Sequence, residues 1–449
     1  MVDAIIQLLD YALRVASRID RAAGRSTAYT GIAAAYLEYG QKARSLEVLE
    51  EEALKSAGAV KQPEEKSRQL TWIAGVLEKA GDSEKAKELF TSAILLARAT
   101  ESADKKAVAL HNIACEYADA GLIEEADRVL TKLHEIVADP ENATDTACEL
   151  ASIARIYADT GRNEKAGEVL GEALKITAEL KDHWFRAERL IEAAEIYADT
   201  GHAEKAARIL EEASAVILQI DERNRPHFLL KIAGVYANTG EKSKAREILT
   251  STLGIVNTEE LPQIKSGDIT EMAAICLELG DAPESMILLN RAIESARRIE
   301  NIKDRVSSLT DITGLLSRAG GIEKALDTAG QAASIISAAE NRKALIYQSG
   351  NLALQFIGLN KKDKAEELIS RIIQTVQDTG AKTAGLGEIA RDLSANREFT
   401  LALSLVQIIR EPHVRAEALT TIARDLIEAG GEPGEEVKQI IQNMVNSFK

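Results

Sequence analysis

One segment recurs along nearly the whole chain, and this recurrence restricts the fold more than any other feature. The stretch from Ala151 reads ASIARIYADTGRNEKAGEVLGEAL, and that from Ile191 reads IEAAEIYADTGHAEKAARILEEAS. With the turn glycine counted as slot zero, slot −8 holds Ile32, Ile73, Ile113, Ile153, Ala193, Ile232, Met272, Ile312, Leu352, Ile389 and Ile422. Successive copies lie 41, 40, 40, 40, 39, 40, 40, 40, 37 and 33 residues apart. A period of about 20–50 residues kept over so many copies specifies a stacked array, because one unit cannot bury its own apolar face.

Each slot has a physical role. Slot −7 is alanine in ten of eleven copies, Thr313 being the exception, and so lets two helices approach closely. Slot −4 is Tyr36, Leu77, Tyr117, Tyr157, Tyr197, Tyr236, Cys276, Leu316, Phe356, Leu393 and Leu426. Slots −8 and −4 are one helical turn apart and share a face. Slot zero is glycine nine times, Asn360 once and Arg397 once; glycine accepts the left-handed conformation that ends a helix. Slot +5 is alanine in eight copies, and slots +8 and +9 are usually a branched aliphatic pair such as Val169-Leu170. The unit is therefore helix, tight turn, helix. Pro63, Pro140, Pro226, Pro262, Pro283, Pro412 and Pro433 all fall between the inferred helices or in a first turn, where a helix tolerates proline.

This pattern closely resembles the tetratricopeptide repeat family. That family carries leucine-glycine, tyrosine, glycine, alanine, phenylalanine and alanine at slots −8, −7, −4, 0, +5, +9 and +12. Here slot −7 is alanine and slot +9 is usually leucine, although Phe90 keeps the family residue. The resemblance covers essentially the whole chain. It implies an all-α fold, a right-handed α-solenoid (superhelix) of about eleven helical hairpins plus a leading helix. The beat is mostly 40 residues where the family's is about 34, which predicts longer helices or longer connections. The expected division is a leading helix over residues 1–24, nine repeats of about 40 residues over 25–380, and two shorter repeats over 381–449.

The leading helix reads as the second half of a repeat whose first half is missing. Ile5, Leu8-Leu9 and Ala12 take slots +5, +8/+9 and +12 of a turn placed just before Met1. Neither this helix nor the last one, with Val437, Ile440, Ile441 and Met444, has the polar outer face of a terminal repeat. Either the array continues in a longer chain, or an end packs on another subunit; a plain cap is the alternative.

A formal net charge of −16 argues against general nucleic-acid affinity and favours a neutral or basic partner. Three cysteines without CxxC spacing, and no signal-peptide pattern, fit a reducing cytoplasm. No stretch approaches the roughly 20 apolar residues that span a bilayer.

Function must then come from the exposed surface. The family resemblance implies that first helices line a concave groove through slots −13, −10, −6, −3 and −2. Those slots are mostly small, among them Thr27, Thr30, Ala34, Thr71, Gly75, Ala151, Gly234, Ala274 and Gly314, which leaves room for a helix or extended peptide. Slot −2 carries Asp119, Asp159 and Asp199 at equivalent positions, where a carboxylate opposes the helix dipole. Glu188 and Glu195 add charge beside Asp199, and Arg155 sits beside Asp159. This carboxylate ladder is the candidate site for a basic protein or peptide; solvated turns inherited by duplication are the plain alternative. The family's clamp of lysines and asparagines for a C-terminal carboxylate is missing, Lys79 being isolated.

His111, Cys115 and Cys148 map to the same groove region and have ligand chemistry for zinc or an activated thiol. They lack a fourth ligand or an orienting acid, and cysteine is also simply small. Gly385-x-Gly387 follows no strand and lacks a third glycine, and P-loop, HExxH and GxSxG motifs are missing. No catalytic residue, metal ligand or cofactor is assigned. The leading reading is a non-catalytic protein–protein interaction scaffold. A regulatory or sensor module of a larger signalling protein comes second, and a thiol or metal enzyme third.

Overall fold

The computed structural model describes residues 3–100, 102–137, 143–258 and 262–447. Among these every regular element is a helix, and the expected α-solenoid of hairpins is what they form. Repeats 1–11 run from the turn at Gly40 to that at Gly430; repeats 1–10 each have a first helix A and a second helix B, and repeat 11 has its A helix, Pro412–Ala429. The long beat resides in the helices. Asn163–Glu179 and His183–Asp199 have 17 residues each, and the connections 180–182 and 200–202 have three each. Pro63, Pro226, Pro262, Pro283 and Pro412 stand in first turns of helices; Pro140 lies outside the described residues.

The slot chemistry appears directly in the packing. All eleven side chains at slot −8 and all eleven at slot −4 are buried, Tyr157 and Tyr197 included. All eleven slot-zero residues have positive φ, and Asn360 at 55° and Arg397 at 63° are the non-glycine ones. In repeats 1–10 the slot +1 amide donates to the slot −4 carbonyl, as Arg162 N does to Tyr157 O at 2.8 Å. This bond satisfies a carbonyl that the helix end would otherwise strand, and it turns the chain back onto itself. Buried serines at slot −14 pin the two helices together. Ser67 Oγ donates to Ala93 O at 2.8 Å and Ser266 Oγ to Ala292 O at 3.2 Å.

Repeat 1 has one residue too many for the common beat. Its B helix absorbs the extra residue in a π-helical turn, Leu49–Ala53. Ala53 therefore takes the place that slot +12 holds elsewhere, buried and accepting from Ser26 Oγ at 3.1 Å. Such bulges insert a residue without moving the rest of the helix off its face.

The chain divides into two compact units, one of Met1–Leu133, Asn341–Ile357 and Lys361–Lys449, the other of His134–Glu340 with Gly358–Asn360. Within the first unit, the leading helix Ala4–Ala16 packs on Pro412–Ala429, the A helix of repeat 11. Its Ile5, Leu9, Ala12 and Ala16 are buried at slots +5, +9, +12 and +16, as Ala166, Leu170, Ala173 and Thr177 are in repeat 4. The turn at Gly430 explains why repeat 11 needs this helix. Gly430 combines φ 68° with ψ 154°, outside the left-handed helical region, so the chain does not fold back there. The last helix, Glu435–Ser447, packs instead on the leading helix and on Phe399–Ile408. The apolar face of the leading helix is thus covered by its own chain.

Candidate binding surface

Along each A helix the positions left uncovered by packing form one stripe. In repeats 4–8, all in the second unit, it runs through slots −13, −9, −6 and −2. The spacings of four, three and four residues keep these side chains on one face of a 3.6-residue helix. Slot −10 belongs to the interior instead. Thr30, Thr71 and Ala151, expected in the groove, are buried.

The second unit brings five of the six expected residues onto this stripe. Arg155 at slot −6 of repeat 4 pairs with Asp199 at slot −2 of repeat 5. Glu195 lies beside them; burial raises its carboxyl, while Arg155 and Lys231 oppose the rise and Asp199 adds to it. Glu188 lies 3.9 Å from Lys231 Nζ and 3.6 Å from Arg189. Asp159 is exposed at the end of its helix. Asp119 belongs to the first unit, where it acts on Glu116, a half-buried carboxylate raised chiefly by burial and held down by Lys79. Gly75 makes room for that side chain: a Cβ there would stand 2.0 Å from Glu116 Oε1.

Slot −9 supplies the residues that the sequence reading missed: Glu192, Lys231, Glu271 and Asp311. Burial raises the carboxyls of Glu192, Glu271 and Asp311, with Arg189 opposing at Glu192 and Lys231 at Glu271. Glu271 and Asp311 both line a recess of about 440 Å³ between the A helices of repeats 7 and 8. Gly267 and Ala274 keep one wall low, and Ser307, Asp304 and Leu315 line the other. Both carboxylates reach solvent, and the walls around them raise their carboxyls above the ordinary values by partial burial. A period-3.6 reading from slot −2 backwards, without the family's slot list, finds this row.

The soft-ligand cluster does not assemble as a metal site. His111 and Cys115 are in the first unit and Cys148 in the second. Among the described residues no group of three His, Cys, Asp or Glu side chains is placed to hold a metal ion. Burial lowers His111 and raises Cys148, the reverse of what an activated thiol needs. Cys276 is buried in its slot −4 core position. Trp184 packs between repeats, edge-on to Phe228 at 4.6 Å and stacked on His227 at 5.8 Å.

Repeated A/B hairpins closed by left-handed turns, with an open stripe along the A helices, define a protein of tetratricopeptide-like repeats. Residues 117–303 of the chain match the family described as soluble NSF attachment protein, SNAP. A comparison with curated proteins gives no match. Among solved structures, a putative kinesin light chain of Podosopora anserina with nearly identical TPR-like repeats is 21% identical. It covers 45% of this chain and 100% of its own, at a TM-score of 0.33. The apo quorum sensor NprR of B. thuringiensis is 17% identical over 77% of this chain and 97% of its own, at a TM-score of 0.30. A signal transduction ATPase of Pyrococcus horikoshii with a tetratricopeptide repeat sensor is also 17% identical. It covers 90% of this chain and 62% of its own, at a TM-score of 0.31. No helix among the described residues is long and apolar enough to cross a membrane.

Proposed function

We propose that the chain is a non-catalytic interaction scaffold, and that the A-helix stripe of repeats 4–8 holds a basic protein segment in extended or helical form. The observation that carries this reading is the alignment of Glu188, Glu192, Glu195, Glu271 and Asp311 on the open face of neighbouring A helices, where partial burial raises the last four carboxyls. Desolvation makes the charged form costly in the free protein, and a cationic side chain laid against it recovers that cost. Small residues at Gly234, Ala274 and Gly314 leave space for a backbone between the helices. The formal charge of −16 adds attraction at long range.

A fluorescent lysine- and arginine-rich peptide, titrated against the full chain, is the direct probe. Glu195→Gln with Glu271→Gln and Asp311→Asn should weaken binding at least tenfold, and a glutamate-rich peptide should not bind. Equal affinity of wild type and triple variant for the basic peptide rules the surface out.

The pH dependence has a definite sign. Each carboxyl is raised in the folded protein, so a cationic ligand favours its ionised form and binding releases protons. Affinity should therefore fall on acidification, beginning above 4.5, the ordinary glutamate value. Stability of the unliganded protein should move the other way. The raised groups contribute most below that value, and the contribution is lost as pH rises through their folded-state titration. Binding titrations and thermal melts at matched pH test the two trends together.

A further inference from the structure

We infer that the leading helix is the B helix of repeat 11, supplied from the opposite end of the chain, and that it acts as a clasp: the seam between repeat 11 and the leading end is where the first unit opens. Three observations beyond the burial pattern put the helix in that role. Asp3, which caps it, lies close enough to Glu432 for their charges to interact, so it begins beside the Gly430 turn as a B helix would. Tyr36 Oη donates to Asp10 on the leading helix at 2.7 Å. Tyr197 and Tyr236, at the same slot, donate to the B helix of the preceding repeat at 3.4 Å. Arg424 at slot −6 of repeat 11 pairs with Glu38 at slot −2 of repeat 1, the register of Arg155 with Asp199 in the second unit. The A helices of repeats 11 and 1 therefore meet in the same slot register as those of repeats 4 and 5.

The seam differs from other joints in its connectivity. Elsewhere a turn of about three residues holds helix B at high effective concentration beside helix A, so a parted pair re-forms at once. At the seam no short connection exists. Its ion pair is partly exposed on both sides and holds weakly. The remaining contacts, such as the Arg415 guanidinium 5.4 Å above the Tyr11 ring, must keep the two ends together. Local opening takes the route of least cost.

Hydrogen exchange of the full chain, read by mass spectrometry, tests this. Peptides from Ala4–Ala16 and Pro412–Ala429 should exchange together, roughly tenfold or more faster than those from Pro63–Lys79 and Ser83–Ala99 of the same unit. A second arm locks the seam with Gly31→Cys and Thr420→Cys, the three native cysteines being changed to alanine. A Cβ at position 31 would lie 4.0 Å from Thr420 Cγ2, so the two side chains would touch across the seam. Oxidation should slow both seam peptides to the rate of Pro63–Lys79, and reduction should restore them. Neither cysteine lies in the leading helix, so simple fraying of that helix would not respond. E38R or R424E alone should speed seam exchange by up to about fivefold, and the double variant should return it to the starting rate. Seam peptides as slow as the linked hairpin, unchanged exchange after oxidation, or cysteines that do not join in the folded protein each overturn the proposal.

Discussion

Single residues decide where each hairpin turns. Eleven positions take positive φ at slot zero, and nine are glycine. Arg397 adopts this conformation with a full side chain at φ 63°, at a cost of about 1 kcal/mol. Arg397→Gly should accordingly raise the midpoint of urea unfolding, by about 1 kcal/mol in stability. Gly161→Ala should lower it by a similar amount, because Gly161 has φ 74°. These positions were legible in the sequence because nothing but backbone geometry selects glycine there. The carboxylates at slot −9 were not. An exposed-looking glutamate and one desolvated by its neighbours read alike until the walls of the groove are in place. Asp199 shows the reverse case: its misplaced charge suggested a ligand, and Arg155 already meets it.

At the scale of the helix, the beat fixes which faces meet. The 41-residue spacing of repeat 1 was visible as a number, but its location was not. It resides in the π-helical turn Leu49–Ala53, which keeps Ala53 and Ala57 buried one residue late. Deleting Glu51, an exposed residue of that turn, should give a plain α-helix in register and leave circular dichroism and cooperative unfolding intact. Deleting Glu168 from the B helix of repeat 4 should instead throw Leu170 and Ala173 off the buried face. A loss of about 3 kcal/mol or more is expected there, measured by denaturant titration. Of the groove slots that the family resemblance implied, −13, −6 and −2 lie on the open stripe, whereas Thr30, Thr71 and Ala151 at slot −10 are buried.

For the molecule as a whole, charge and connectivity are the informative quantities. The charge of −16 makes peptide association sensitive to salt, so the on-rate of the basic probe should fall severalfold between low and physiological ionic strength. Stopped-flow mixing measures it, and a rate independent of salt would argue against steering. The sequence revealed half a repeat at the leading end, and the structure finds its complement in Pro412–Ala429. That link was invisible from sequence because no periodic signal joins residues some 400 positions apart. Leu9→Ala, at the centre of the joint and fully buried, should cost about 2–5 kcal/mol, read as early melting of the first unit. A further consequence concerns growth of the array. A twelfth hairpin added after Gly430 would compete with Ala4–Ala16 for the same bed on Pro412–Ala429. Growth at that end would thus cost the first unit its clasp, so selection is expected to reject new copies at the tail.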